Sequence, residues 1–376
     1  MAESAATAQN ANGSSDGLRD PYRVIVWGPG GVGKAALKIM HGRPEFELVG
    51  VLCHTFGKGG VDVGQYIGKE PTGLQMSRDK DAVLGLDADI VLYTGSFAMD
   101  QDAADEEMRG ILASGKNLIS VTSYNYPDYH GEEYVAKFEE ACRKGNTSLH
   151  GSGEMPGFFL DRVALTMTGL TKEVHHLKIE EWFNTSHYQV ATLGFFGVNK
   201  TKEEAREGVK VIEPLLTASY AEALTMICRS LWDATPDVTF DADFELAEEM
   251  LELPRGAVAK GKVADLLFRF TASIDGEPRL EAHLNWTFTK PERWLIEIEG
   301  DPVSLRTDIT GFASLRDESM YREGDTTRIS HYCTAMPLVQ AIPMVVDAPP
   351  GIVYPTVFTN AVPDMRRLST RTSIAR

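Results

Sequence analysis

The chain has few cysteines and no long hydrophobic run. Its 376 residues include only Cys53, Cys142, Cys228 and Cys333, and none of these is spaced as C-x-x-C. This usage predicts reduced thiols in a cytoplasmic protein and excludes a disulfide framework. No run of roughly 18 apolar residues is present, as a membrane-spanning helix requires. Residues 1–20 lack the basic start and apolar segment of a signal peptide, so we expect a disordered tail.

Positive charge is also scarce. The chain has 37 Lys and Arg residues against 54 Asp and Glu residues, which gives a formal net charge of -17. This balance argues against nucleic acid or an anionic membrane surface as a main partner. Metal-ligand spacings such as H-x-H or H-E-x-x-H are missing, and so is the G-x-S-x-G turn of serine hydrolases. We therefore predict no metal site and no serine nucleophile.

A glycine-rich turn follows the first predicted strand. The β-branched run 24–27 suits a buried strand, and residues 35–40 suit the first turns of a helix. In a G-x-G-x-x-G turn the first glycine permits a tight bend, the second lets the backbone approach a diphosphate, and the third lets helix and strand pack closely. Amides at the helix N-terminus then supply an anion site. The predicted dinucleotide contacts are Gly28, Pro29, Gly30, Gly31, Val32 and Gly33.

The same turn nearly matches the phosphate loop of nucleotide hydrolases. Gly28, Gly33 and Lys34 fit the pattern G-x-x-x-x-G-K-[ST], but Ala35 stands where that loop needs a hydroxyl to hold magnesium. The predicted strand over 89–95 also ends without a carboxylate. The turn therefore favours a dinucleotide over hydrolysis of a nucleoside triphosphate, and a glycine turn that binds nothing is the other alternative.

The tip of the second predicted strand bears on the choice of cofactor. NAD sites usually place an acid about 20 residues past the glycines, where it holds the ribose 2'-hydroxyl. Here that tip has no carboxylate, and His54, Thr55 and Lys58 favour the 2'-phosphate of NADP. NAD stays open, because Lys58 also fits a solvated loop lysine. The residues predicted to approach the nicotinamide ribose, after a later strand, are Thr94, Gly95 and Ser96.

The order of strand and helix patterns predicts two domains. After the tail we expect a dinucleotide-binding Rossmann domain over 21–152 and a substrate and dimerisation domain over 153–332. A C-terminal segment, 333–376, is expected to return to the first domain. The predicted fold class is α/β, with a doubly wound parallel sheet in the first domain and a second, α+β domain built on a mixed sheet.

Motifs along the chain resemble those of the dihydrodipicolinate-reductase-like oxidoreductases. They are the glycine turn, the loop 57–64, the strand 117–120, the turn 151–158 and the proline-containing helix 334–343. The last two are similar to the branch of 2,4-diaminopentanoate dehydrogenase and native amine dehydrogenase. The resemblance implies an NAD(P)-dependent homodimer that transfers hydride between a nicotinamide and a nitrogen-bearing carbon of a small molecule.

The chain departs from this branch at one position. The resemblance implies a pair of glutamates just before a Tyr-Pro, yet the segment 120–127 has no carboxylate. Our hypothesis is that Glu154, or the hydroxyls of Ser123 and Tyr124, act as the proton donor instead. A helix cap is the alternative role for Glu154. Two other functions stay open: a carbonyl or alcohol oxidoreductase that uses the two hydroxyls, and an NADP-binding sensor without catalysis.

Four aromatic residues lie on or after one predicted strand of the second domain. We interpret Trp182, Tyr188, Phe195 and Phe196 as an aromatic wall, either of a substrate pocket or of a dimer contact. Aromatic residues near a glycine-rich bend also suit a protein core, which is the alternative.

Overall fold

The structure is a computed structural model, and it describes residues 19–95, 100–122, 124–186, 188–311, 315 and 327–355. The strands are β1 (Tyr22–Trp27), β2 (Phe46–Leu52), β3 (Ile90–Tyr93), β4 (Asn117–Ser120), β5 (Ser148–Gly151), β6 (Glu173–Asn184), β7 (Asp237–Leu246), β8 (Leu251–Leu253), β9 (Gly256–Val258), β10 (Val263–Ile274), β11 (Glu277–Thr287), β12 (Arg293–Asp301), β13 (Leu305–Thr310) and β14 (Gly351–Ile352). The helices are α1 (Gly31–Met40), α2 (Val63–Tyr66), α3 (Lys80–Leu84), α4 (Gln101–Ala113), α5 (Glu132–Gly145), α6 (Leu165–Met167), α7 (Val190–Leu193), α8 (Lys202–Trp232) and α9 (Ile329–Val346). Shorter helical segments cover Pro127–His130, Glu154–Ala164, Thr168–Leu170 and Gly194–Phe196.

The first sheet is parallel and is covered on both faces. Its strand order is β14-β5-β4-β3-β1-β2. Strands β1 and β3 are almost continuous apolar runs, which suits a sheet buried on both sides. Helices α1 and α9 supply the core on one face, and α4 and α5 supply it on the other. Ligands of such sheets bind at the carboxyl ends of the strands where the strand order reverses, and this point lies here between β1 and β3.

The second sheet is mixed and is packed on one face. Its order is β13-β12-β6-β11-β10-β7, with β6 and β11 parallel and the other neighbours antiparallel. Alternate residues point to opposite faces, so Ile179, Phe268 and Phe270 enter a core with α8. Lys178 and Glu180 lie on the other face. The predicted fold class, a Rossmann-type sheet plus an α+β domain on a mixed sheet, is confirmed.

Helix α8 is longer than the sequence pattern predicts. The apolar pattern of the sequence predicts a helix over 212–232, but the helix begins at Lys202. A capping box explains the earlier start, because the Thr201 hydroxyl accepts from the Glu204 amide at 3.2 Å and the Glu204 carboxylate accepts from the Thr201 amide at 2.8 Å. Helices α8 and α9 are long and apolar enough to cross a membrane by length and composition alone, and both place many apolar residues in the core.

The C-terminal part of the described chain returns to the first sheet. Helix α9 packs against α1 and β4, and its residues Leu338, Ile342 and Val345 are fully buried. Strand β14 then adds to β5 at the edge of the sheet. The first sheet therefore depends on a segment that follows the whole second domain in sequence.

Truncating the α9 contact should destabilise the protein. We expect Ile342→Ala to lower the free energy of unfolding by about 2 to 5 kcal/mol, because it leaves a cavity between α9 and the first sheet. The matched control on the same helix is Gln340→Ala at an exposed position, which should change stability by less than about 0.5 kcal/mol. Urea denaturation followed by circular dichroism measures both, and equal losses would contradict the packing of α9 described here.

Candidate active site between the two sheets

The glycine turn has the geometry that a diphosphate site requires. Gly28 has a φ of 91°, and a Cβ on it would lie 2.8 Å from the Gly95 Cα. A Cβ on Gly33 would lie 2.6 Å from the Gly28 carbonyl oxygen, so the start of α1 packs directly on the turn. A Cβ on Gly30 would meet no atom within 4 Å, which leaves open space where the backbone faces a ligand. Amides at the start of α1 face the same space.

Two side chains brace the turn from the loop after β2. The Lys58 ammonium donates to the Pro29 carbonyl at 2.6 Å and to the Tyr66 hydroxyl at 3.0 Å. The Tyr66 hydroxyl also donates to the Pro29 carbonyl, at 2.6 Å. Lys58 is therefore a half-buried part of the turn and not a solvated loop lysine. Val32, also predicted to contact the cofactor, is half-buried and packs toward α9.

An arginine from a later part of the chain lies at the tip of β2. His54 and Thr55 are both exposed there. The Arg78 guanidinium lies 3.8 Å from the centre of the Phe56 ring, whose side chain is 80% exposed. The sequence prediction missed Arg78, because Arg78 is 25 positions past Cys53 and joins the tip only through the pairing of Ser77 with β2.

The end of β3 packs on the same turn. The Thr94 hydroxyl donates to the Gly28 carbonyl at 2.8 Å, and its amide donates to the Trp27 carbonyl at 2.8 Å. Gly95 is the residue on which Gly28 rests. Thr94 thus supports the turn from beneath. Ser96, predicted to approach the nicotinamide ribose, lies outside the described residues.

The first turn of α9 connects the glycine turn to a buried carboxyl group. A Cβ on Gly31 would lie 2.4 Å from the His331 ring, so this ring sits directly on the start of α1. One helical turn later, the Thr334 hydroxyl donates to Glu154 Oε2 at 2.8 Å. Residues three apart on a helix share a face, so His331 and Thr334 bring Glu154 close to the cofactor side of the turn.

Glu154 is the sequence-predicted acid that the structure brings to this site. It follows β5, and the backbone bends at Met155, Pro156 and Gly157 before the rest of the segment becomes helical. The side chain is 5% exposed, and Oε1 has no hydrogen-bond partner in the described part of the chain. The helix cap that we considered is wrong, since the carboxylate bonds to α9 and not to its own segment.

Burial and a second carboxylate shift the protonation of Glu154. Desolvation raises its pKa well above the usual range, and the negative charge of Glu181 raises it further, although the Thr334 hydrogen bond opposes this. Glu181 lies on the core face of β6, where its Oε1 accepts from the Trp294 indole at 3.0 Å. Burial raises the Glu181 pKa to about 7. The two groups form a carboxyl pair that holds a proton near neutral pH.

A third carboxylate and an arginine lie beside this pair. Glu292 accepts from the Ser330 hydroxyl at 3.1 Å and from its amide at 3.2 Å, and it lies 3.9 Å from the Arg328 guanidinium. Its negative charge is thus compensated within the protein. The charged groups that act on the Glu154 pKa are both carboxylates, Glu181 and Glu292. The site as a whole therefore suits a positively charged ligand group.

The structure places Tyr124 away from this site, so its predicted role as proton donor is wrong. Its side chain is 1% exposed and belongs to the core on the α4 and α5 face of the first sheet. Its hydroxyl donates to Asp105 Oδ1 at 2.7 Å, and burial raises its pKa. The chain bends at Tyr124, with a φ of 74°, because β5 passes close by at Gly151. Ser123 lies outside the described residues.

The segment after β4 is held by a carboxylate from the second domain. Glu222 on α8 is 1% exposed, accepts from the Tyr126 amide at 3.0 Å and pairs with His130 at 2.9 Å. Asn125, next to Tyr126, is buried, and its Nδ2 has no hydrogen-bond partner among the described residues. The segment that lacks the expected glutamates is thus positioned by a glutamate nearly 100 residues later in the chain.

Three of the four predicted wall residues belong to one run of ring contacts, and Trp182 does not. Phe195 and Phe196 have ring centres 5.4 Å apart, and Phe196 is linked to Tyr188 through Trp286 and Phe183. Trp182 is on the outer face of the second sheet, where the Lys290 ammonium lies 4.0 Å from the centre of its ring. Phe196 packs on Trp286 with ring centres 4.9 Å apart, and Phe195 is 52% exposed. Tyr188 is close enough to Glu292 and Glu154 for their charges to raise the pKa of its hydroxyl. In the part of the chain that the structure describes, no cluster of His, Cys, Asp and Glu side chains suits a metal ion.

Comparisons with known proteins agree with this picture. No protein-family model matches the chain. An amine dehydrogenase from Streptomyces virginiae is 24% identical over 347 residues, which cover 87% of this chain and 93% of the relative. A 2,4-diaminopentanoate dehydrogenase from Acetoanaerobium sticklandii is 24% identical over 272 residues, which cover 70% of this chain and 75% of the relative.

The solved structure of an amine dehydrogenase from Mycobacterium smegmatis has the same fold. The TM-score is 0.67 at 19% identity, and the match covers 88% of this chain and 94% of that chain. The fold likeness confirms the architecture described above. Both curated relatives are dehydrogenases, so the resemblance to the amine dehydrogenase and 2,4-diaminopentanoate dehydrogenase branch, and with it the class of oxidoreductase, is confirmed.

Proposed function

We propose that this chain is an NADP-preferring dehydrogenase that transfers hydride between a nicotinamide and a carbon bound to nitrogen in a small molecule. The observation that carries the proposal is the buried pair of Glu154 and Glu181, joined to the glycine turn through one turn of α9. Strongly shifted carboxyl groups in a cleft beside a cofactor turn are typical of an acid and base site. The pair takes the place of the glutamates missing from the segment after β4.

The residues of the glycine turn fit a nicotinamide cofactor. The open space above Gly30 and the amides of α1 suit the diphosphate. The preference for the 2'-phosphate is supported by Lys58 and Arg78 at the tip of β2 and by the lack of a carboxylate in the tip segment 53–58. A bound nicotinamide supplies or accepts the hydride, while the protein positions the substrate and moves protons.

The carboxyl pair suits a substrate with a positively charged nitrogen. With one proton shared between Glu154 and Glu181, the pair carries one negative charge in a dry site, and that charge attracts an ammonium or iminium group. During amine oxidation the ionised member accepts a proton from the nitrogen. In the reverse direction a carbonyl and ammonia give a carbinolamine, whose C–O bond breaks as the C=N bond forms. The oxygen leaves as water after taking a proton from the carboxyl pair.

Other parts of the proposal follow from composition and from the resemblance. These parts are that the protein is a homodimer, that it is located in the cytoplasm and that its substrate is a small molecule. The carbonyl or alcohol oxidoreductase that relied on Tyr124 is less favoured, since that hydroxyl is bound to Asp105 in the core. If no amine, imine, ketone or alcohol changes the absorbance of NADPH, the alternative is a sensor that binds NADP without turnover.

Replacing Glu154 should remove turnover and leave cofactor binding unchanged. We expect Glu154→Gln to lower kcat for amine oxidation by about 100-fold or more, with the Kd for NADPH unchanged, because the amide cannot accept the proton. In the parent protein kcat/KM for oxidation should rise as the pH increases through about 7, the pKa of Glu181, since oxidation needs the ionised pair.

The matched control for Glu154→Gln is Glu173→Gln at the exposed start of β6, which should keep full activity. Absorbance at the NADPH band gives the rates, and fluorescence titration gives the affinity. Unchanged turnover in Glu154→Gln would remove the acid and base role from this residue.

Because of the carboxyl pair, the folded protein should become less stable as pH rises. The folded pKa of Glu181, about 7, lies above the ordinary value of 4.5, so the folded protein binds more protons than the unfolded chain between these values. Stability contributed by the neutral form is therefore complete below about pH 4.5 and is lost as pH rises toward 7. We expect Glu181→Gln to gain stability relative to the parent protein when measured at pH 8 instead of pH 5.

A control with the opposite sign tests the same measurement. The hydrogen bond from Arg43 lowers the pKa of the exposed Glu45 carboxylate below its ordinary 4.5. The stability of Glu45→Gln relative to the parent should therefore fall only as pH rises toward 4.5, and it should stay flat from pH 5 to pH 8. Thermal unfolding at a series of pH values compares the three proteins. A Glu181→Gln difference that stays flat with pH would contradict the shift.

The cofactor preference is tested at Arg78. We expect Arg78→Ala to weaken NADPH binding by about tenfold while changing the Kd for NADH by less than twofold, because only NADPH carries the 2'-phosphate. Lys69→Ala, also exposed on the loop after β2, is the control and should change neither constant. Fluorescence titration with both cofactors measures the ratio, and equal weakening of the two would refute a 2'-phosphate contact at Arg78.

A further inference from the structure

One tyrosine of the second domain reaches the first turn of α9. Tyr188 follows β6, and its hydroxyl oxygen lies 3.3 Å from His331 Nε2. The ring is largely buried beside Phe183, with ring centres 5.9 Å apart. His331 lies three positions before Thr334, which bonds to Glu154, on the same face of α9, so the Tyr188 hydroxyl lies on the Glu154 side of this helix. The charges of Arg328, Glu292 and Glu154 accordingly act on the pKa of this hydroxyl.

The hydrogen bonds of His331 decide which atom donates to the other. His331 Nδ1 accepts from the Arg328 amide at 3.3 Å, and an amide can only donate. Burial lowers the pKa of His331 to about 4, with the Arg328 charge acting in the same direction, so the ring is neutral at neutral pH. A neutral imidazole that accepts at Nδ1 carries its proton on Nε2. His331 therefore donates to the Tyr188 oxygen.

The proton of the Tyr188 hydroxyl is consequently directed to another acceptor. In the described part of the chain His331 is the one hydrogen-bond partner of this hydroxyl. Because its oxygen already accepts from His331, its proton is available to a ligand atom in the cleft, and the donated bond polarises the O–H group. Its place beside the carboxyl pair puts that ligand atom next to the nitrogen of the substrate.

We propose that Tyr188 is a catalytic residue that donates a hydrogen bond to the substrate oxygen leaving the reacting carbon, and that His331 positions it. This inference rests on the C–N chemistry proposed above. The proton that completes water comes from the carboxyl pair, and Tyr188 holds the oxygen during cleavage of the C–O bond without losing its own proton. The atoms and charges balance: carbinolamine and carboxylic acid give iminium, water and carboxylate.

The test compares substrates with and without that oxygen. We expect Tyr188→Phe to lower kcat/KM for reductive amination of a ketone such as cyclohexanone by about 100-fold, the usual cost of losing one such donor. Reduction of a preformed cyclic imine, 2-methyl-1-pyrroline, has no oxygen to release and should keep its kcat/KM within about threefold. Equal losses for both substrates, or no loss for either, would overturn the role of Tyr188.

Tyr220→Phe is the matched control for this comparison. Its hydroxyl lies within electrostatic range of Glu181 and Glu154, but the ring is buried and stacked on Phe270 with ring centres 4.0 Å apart. Removing that hydroxyl should leave both reactions within about twofold of the parent rate. A loss in Tyr220→Phe that matches Tyr188→Phe would show a general disturbance of the site and would count against the proposal.

Two measurements separate this inference from the proposed function. If the parent protein reduces the imine but not the ketone, the C–N chemistry stands and the role of Tyr188 fails. Calorimetric titration of the protein saturated with NADP+ gives a readout without turnover, and Tyr188→Phe should bind cyclohexanone about tenfold more weakly. Nitrogen NMR of labelled histidine should show the His331 proton on Nε2, and a proton on Nδ1 would overturn the inference.

Discussion

The contact between the first turn of α9 and the glycine turn is the constraint on which the site depends. The His331 ring leaves no room for a side chain at Gly31, and Thr334 holds the carboxylate of Glu154 from the same helical face. This places a segment from near the end of the described chain between the cofactor turn and the second domain. Any shift of α9 along its axis would separate the carboxyl group from the cofactor.

Burial of the carboxylates is unfavourable for the free energy of folding, and their partners in the fold compensate this cost only in part. Glu292 is matched by Arg328 and by two hydrogen bonds from Ser330. Glu154 keeps one oxygen without a partner, and a proton shared with Glu181, rather than a cation, removes one of the two negative charges. Burial of a polar atom without a partner is unfavourable, so such atoms are concentrated at sites that bind or transform a ligand. The unmatched oxygen of Glu154 is therefore the part of the site at which the proposed function places the substrate nitrogen.

The second domain contributes polar side chains to this site. Glu181 comes from β6, Tyr188 from the loop that follows it, and Glu222 from α8, where it holds the segment after β4. Glu181 stands on the core face of β6 between Ile179 and Phe183, so this strand brings a carboxylate to the site while the neighbouring positions on that face stay apolar. The same alternation places Trp182 on the opposite face, which is why it does not join the ring contacts that link Tyr188 to Phe196.

The sequence alone determined the features that depend on local pattern. The glycine turn, the apolar runs of the first sheet and the absence of an acid at the tip of β2 are all short-range signals, and periodicity and turn chemistry explain them. Only the tertiary structure decided which acids meet. Glu154 joins Glu181, and Tyr124 is withdrawn into the core by Asp105, because a buried group takes its pKa and its partners from residues far along the chain. No local pattern records such long-range proximity, and the physical role of each side chain follows from it.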